Sequence, residues 1–146
     1  MNKKIAISIG IIAVLGLYII IANVKRSSDV PNLSLPDERN EEILITRSSG
    51  TIKIFRKEGK WVVSDEAYPA NVKAVADLEK RFRDLKLTDL ISSKGFYAKY
   101  DLTPDKYTEV IFKQGDKSVH NFKIGKKSTT GQHTFVKIDD RPEIYL

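Results

Sequence analysis

The spacing of apolar residues changes character several times along the chain, and each change marks a different element. The first stretch, Ile5–Ala22, reads IAISIGIIAVLGLYIIIA: none of its residues is charged, and only Ser8 and Tyr18 carry side-chain polar groups. A helix of that length rises roughly 27 Å, close to the hydrocarbon core of a thin bilayer, and Asn23 and Val24 bring it to the usual span of about 20 residues. The pattern predicts a transmembrane anchor over 5–24 behind a short basic tail, 1–4. Signal-peptide cleavage is disfavoured, because bulky Ile19, Ile20, Ile21 and Val24 crowd any cut and no A-x-A site is present. A core helix is disfavoured because no polar face exists.

Residues 25–41 break the pattern. Ser27, Ser28, Pro31, Ser34 and Pro36 without sustained periodicity predict a juxtamembrane linker stiffened by its prolines. Period-two alternation then begins. Ile43–Thr46, Thr51–Arg56 and Lys60–Ser64 read as strands divided by Ser49-Gly50 and Glu58-Gly59 turns, a β-meander. The period shifts to 3.6 after Asn71, a good N-cap: Val72, Val75, Leu78, Phe82 and Leu85 define one stripe, with Asp77/Arg81, Glu79/Arg83 and Lys80/Asp84 as outward i,i+4 pairs. Leu87–Ser93 is extended. Lys94–Pro104 holds an aromatic connection stopped by its proline. Alternation returns in Thr108–Lys113, Ser118–Ile124 and His133–Ile138, separated by a Gln114–Lys117 turn and a Gly125–Gly131 loop. An Asp139–Pro142 turn leads into a last segment, Glu143–Leu146. The expected fold class is α+β: a single N-terminal transmembrane helix, then a small domain (42–146) of antiparallel β-hairpins packed on one main amphipathic helix. Because Ile144-Tyr145-Leu146 needs a partner and nothing follows it, this domain is expected to end on a short edge strand or to be incomplete at its C-terminal end.

Charge changes this picture little. The formal net charge is +6, two units of which are Lys3 and Lys4, and lysines alternate with acids beyond them. No basic stripe with stacking aromatics supports nucleic-acid binding. Gly125-Lys126-Lys127-Ser128 lacks the upstream glycine of a phosphate-binding loop, so no nucleotide is expected. His120 and His133 have no third ligand at metal-binding spacing, and the chain has no cysteine. No nucleophile elbow marks a catalytic serine. The expectation is therefore no catalytic residue, no metal and no cofactor. Trp61, Phe96, Tyr97 and Tyr100 form the possible binding surface, with Trp61 better explained as a sheet–helix contact.

The order of these elements, with Gly59-Lys60-Trp61-Val62-Val63, Tyr68-Pro69-Ala70-Asn71, Phe96–Pro104, Phe122-Lys123-Ile124-Gly125, Phe135-Val136 and Pro142–Leu146, resembles the bacterial domain-of-unknown-function group DUF4340 over about residues 43–146. In that group an N-terminal membrane span is usual, and some relatives are auxiliary to ABC-type transport systems linked to gliding motility. Asp101 stands where glycine is common, and Asn71 where aspartate is common. The resemblance implies no catalytic residues. It implies a non-catalytic accessory or scaffold domain, not an enzyme, that docks a protein of the same membrane complex. Lipid contact through 5–24 places it in a bacterial inner or cytoplasmic membrane, single-pass, with the C-terminal domain outside the cytoplasm. Ala6 and Gly10 offer a surface for helical self-association. The alternatives are an extracytoplasmic module binding envelope glycan or lipid headgroup through the rings, and a hydrolytic enzyme of unrecognised type built on a histidine and an acid.

Overall fold

A computed structural model describes residues 11–20, 30, 31, 33 and 40–146. The chain divides into two compact units, Met1–Pro31 and Asn32–Leu146. In the first, residues 11–20 are helical and their apolar side chains exposed. The second contains strands β1 (Glu42–Arg47), β2 (Gly50–Lys57), β3 (Lys60–Val63) and β4 (Tyr68–Pro69), helix α1 (Val72–Arg83), β5 (Leu90–Ser92), a 3-10 turn (Tyr97–Tyr100), β6 (Thr108–Gln114), β7 (Lys117–Lys127), β8 (Thr134–Ile138) and β9 (Ile144–Tyr145).

The strands form one nine-stranded sheet in the order β4-β3-β2-β1-β6-β7-β8-β9-β5, each neighbouring pair antiparallel. This corrects the expected fold class of a transmembrane helix followed by α+β hairpins on a helix: the described chain is mostly β, and no helix among the described residues is long and apolar enough to cross a membrane. The ten described helical residues rise only about 15 Å. The rest of the predicted anchor (5–10 and 21–24), the basic tail and most of the predicted linker lie outside the described residues. Hairpins are local and legible from turns; the β1–β6 pairing that fuses two meanders into one sheet is not.

Alternation decides which residues that sheet buries. Across β1 and its neighbours Ile43 opposes Ile54 and Phe112, while Ile45 opposes Ile52 and Val110. Phe122 continues the row from Val110 to Ile138, and Val136 passes it to Tyr145. Ile43, Phe112 and Phe122 are fully buried; each such side chain contributes on the order of 2–3 kcal/mol relative to exposure. Helix α1 lies on this face. Asn71 caps it, its side-chain oxygen accepting from Ala74 N–H at 3.1 Å. At the other end Phe82 packs on Phe112 and Phe122, with centroids 5.1 and 5.0 Å away. Val75 and Phe82 are buried, but Val72 is 65% exposed and leaves the predicted stripe. Of the predicted surface pairs, Lys80–Asp84 forms at 3.1 Å, while Glu79 instead accepts from Asn40 at 3.3 Å.

One position departs from the expectation and another accounts for a departure from the resembled pattern. Gly125 is not in a loop; it belongs to β7, where an added Cβ would collide with the Tyr100 carbonyl oxygen and sit 3.1 Å from Leu102 Cγ. Leu102 is 3% exposed, and its N–H donates to Tyr97 O at 3.0 Å, so this backbone cannot withdraw cheaply. Asp101 takes φ +55°, which explains why glycine suits that position, and its carboxylate meets Lys106 Nζ at 3.3 Å.

On the opposite face Glu42 bridges three strands, at 3.3 Å from Lys53 on β2 and 3.1 Å from Lys113 on β6. Partial burial alone would raise the Glu42 carboxyl, but the Lys113 and Lys53 ammonium groups outweigh it and hold it below the ordinary glutamate value.

Two stability experiments follow from this packing. Gly125→Ala is expected to lower the urea midpoint by the equivalent of about 2 kcal/mol with little change in slope. Because the folded Glu42 carboxyl titrates lower than the unfolded one, its stabilisation is complete above the ordinary carboxylate range and fades as pH falls through the lowered value. Glu42→Gln should therefore cost about 1 kcal/mol or less at neutral pH, since both lysines keep solvent contact. The gap between wild type and variant should close in acid, as read from urea titrations at both pH values.

Candidate functional site

The rings singled out from sequence are placed by three different elements. Trp61 on β3 is 8% exposed and faces the helix side of the sheet with Val63. The guanidinium of its cross-strand neighbour Arg56 covers the ring at 4.8 Å, which occupies the face a ligand would stack on. Tyr97 is half-buried and donates from its hydroxyl to Pro142 O at 3.2 Å. Tyr100 packs against Phe135 of β8 at 4.6 Å between centroids, with Lys99 Nζ 5.6 Å from its ring. Phe96 projects from a residue with φ +69° and is 73% exposed. The structure thus groups Phe96, Tyr97 and Tyr100 along one connection and leaves Trp61 apart. Five strand spacings separate β3 from β8, about 24 Å.

The histidines also separate. His133 is exposed at the start of β8. His120 on β7 brings Nδ1 to 3.5 Å from Asp139 Oδ2, without hydrogen-bond geometry. Around it, Asn121 donates its backbone N–H to Asp139 Oδ1 at 2.9 Å and its side-chain amide to Glu109 at 2.9 Å. Lys123 lies 3.7 Å from the same Glu109. Lys137 donates to Asp139 O at 3.0 Å; burial first and the nearby Lys123 charge second hold its ammonium below the usual lysine range, against the pull of Asp140, Asp139 and Glu143. This polar cluster ties β6 to β7 and to the turn after β8. Among the described residues no group of three histidines, cysteines or acids could hold a metal ion.

A different surface is apolar, and the sequence pattern places two of its residues, Ile52 and Val72, on inward faces. Ile52 shares the helix-side face with Ile54 but is 53% exposed; Tyr68, opposite Val63, is 64% exposed; Val72 opens the helix at 65%. Register places Ile52 and Tyr68 near one another, on either side of Val63, whereas Val72 lies past the Trp61 end of β3. Tyr68, Val63 and Ile54 form one row across β4, β3 and β2, Ile52 is the next same-face residue along β2, and Asn71 starts the helix two residues after β4 ends. Helix burial begins only at Val75, so Val72 is left uncovered, and the corner of the sheet at Ile52 and Tyr68 is uncovered as well. Periodicity put Ile52 on the correct face but could not reveal where that face stops being covered. The adjoining edge strand, β4, has two residues and ends in Pro69, which blunts it against strand addition. The corner can therefore bind through side chains rather than by extending the sheet.

Residues 61–146 match the family described as Domain of unknown function (DUF4340). The match starts later than the 43–146 expected from sequence, and it leaves out β1, which sits between β2 and β6 in the sheet. No curated protein and no solved structure matches the chain.

Proposed function

The chain belongs to the DUF4340 family, and from that premise we propose a non-catalytic accessory or scaffold domain that docks a partner protein of the same bacterial membrane complex, such as a transporter. The observation that carries this reading is the uncovered corner of Ile52 and Tyr68 beside half-buried Val63, the first two more than half exposed although apolar or aromatic. Exposed apolar side chains grouped on one sheet face mark protein-docking sites. A membrane location draws on the charge-free run Ile5–Ala22 and on the resemblance to membrane-associated relatives.

The corner reading is tested with the full chain expressed in its native membranes, extracted in mild detergent, crosslinked and identified by mass spectrometry. Wild type should return one reproducible partner crosslinked near β2–β4. Ile52→Asp combined with Tyr68→Ser alters exposed positions and should reduce that recovery by more than about tenfold, with the thermal midpoint nearly unchanged. Recovery as an isolated monomer, or crosslinks elsewhere that the double variant leaves intact, would overturn the proposal.

A further inference from the structure

The helix also leaves an opening at its other end. A groove of about 350 Å³ lies between the last turns of α1, the segment after it, and strands β7 and β8. Its walls include Phe82, Leu85, Leu87, Phe122, Ile124 and Val136. Around its rim stand Arg81, Lys86 and His133, all exposed. Among the described residues neither Arg81 nor Lys86 has an acidic partner, unlike Lys53, Lys80, Lys106, Lys113 and Lys123.

The β7–β8 ladder is irregular at this place. Its register shifts between Ile124 and Lys127, opposite Val136 and Thr134, so β7 carries one extra residue and bends where the groove lies. Irregularities of this kind recur beside binding sites, where they re-aim side chains. Leu146 also lines the groove, but its carbonyl oxygen accepts from Thr88 N–H at 2.7 Å and from the Thr88 hydroxyl at 3.3 Å.

Size and charge select the occupant. One helical turn with its side chains, about 10 Å across and 5.4 Å tall, fills roughly 420 Å³, more than the groove holds, so a partner helix would seat only side chains in it. Its volume equals that of about a dozen waters, at the small end of ligand sites. An unbranched chain fits such a space and gains from apolar walls along its length. At the rim, the carboxyl end of α1 contributes about half a negative charge, which two full cations exceed. The excess favours an anion.

We propose that this groove binds a single-chain fatty acid, its alkyl chain against Phe82, Leu85, Phe122 and Val136 and its carboxylate between Arg81 and Lys86, with His133 alongside. This site is independent of the docking corner at the opposite end of the helix, so either can fail without the other.

The full chain, reconstituted in lipid nanodiscs, is labelled with a diazirine-bearing dodecanoate and the modified peptides are mapped by mass spectrometry. Label is expected in 81–87, 122–124 and 132–136, displaced by unlabelled dodecanoate and not by dodecyltrimethylammonium, which has the same chain and the opposite charge. Arg81→Glu with Lys86→Glu should cut this labelling by at least tenfold while the thermal midpoint stays near wild type. Thr134→Trp, which narrows the groove without touching the rim charge, should cut it as well. Labelling spread along the chain or confined to its N-terminal apolar run would overturn the assignment. So would labelling untouched by charge reversal, equal displacement by the cationic amphiphile, or displacement by an uncharged apolar peptide.

Discussion

The pairing of β1 with β6 carries the rest of the structure. These strands come from opposite sides of the helix and of the aromatic connection, yet Ile43 meets Phe112 and Ile45 meets Val110 across them. A slip of one residue would turn Ile43 and Ile45 to the other face and place Glu42 against the core. Two features oppose that slip. On the helix side Ile43 and Phe112 lose all solvent contact, and on the other side Glu42 finds a lysine on each neighbouring strand. Because the family match begins at Trp61, the strand that makes this join lies outside the matched segment.

Once the sheet is continuous, its breadth becomes the controlling quantity. Nine strands at about 4.8 Å span roughly 38 Å, whereas the twelve residues of α1 extend about 18 Å. The helix starts beside edge strand β4 and reaches Phe112 on β6 and Phe122 on β7. It cannot cover the whole face. Its amino end leaves Val72 and the sheet corner of Ile52 and Tyr68 uncovered, and its carboxyl end leaves the groove bounded by Phe82, Leu85 and Val136. Both candidate surfaces follow from one mismatch of lengths. Their chemistry differs because the helix ends differ: the carboxyl end carries Lys80, Arg81 and Arg83, and the first turn carries no acid.

The aromatic connection, which stood out in the sequence, has a bracing role in the fold. Tyr97 reaches Pro142, Tyr100 packs on Phe135, and the Tyr100 carbonyl and Leu102 side chain fit against Gly125. Three rings in five positions drew attention as a binding surface. Spacing alone cannot separate a ring that holds a loop to a sheet from one that waits for a ligand, since both demand large apolar area and a polar handle.

Local signals sufficed wherever the physics was local. Alternation located β1, β2, β3, β6 and β8 to within a residue or two, Asn71 was identifiable as a cap from its type and position, and the positive φ at Asp101 matches a place where glycine is common. Turn chemistry and side-chain periodicity act over a few residues, so they are written in the sequence. The single nine-stranded sheet, the edge strand β5 beside β9, the place of Gly125 inside β7 and the exposure of Ile52 and Val72 were decided only by tertiary structure. Each depends on which distant segment supplies a neighbour and where that neighbour ends. An isoleucine on the inward face reads the same whether or not a helix reaches far enough to cover it.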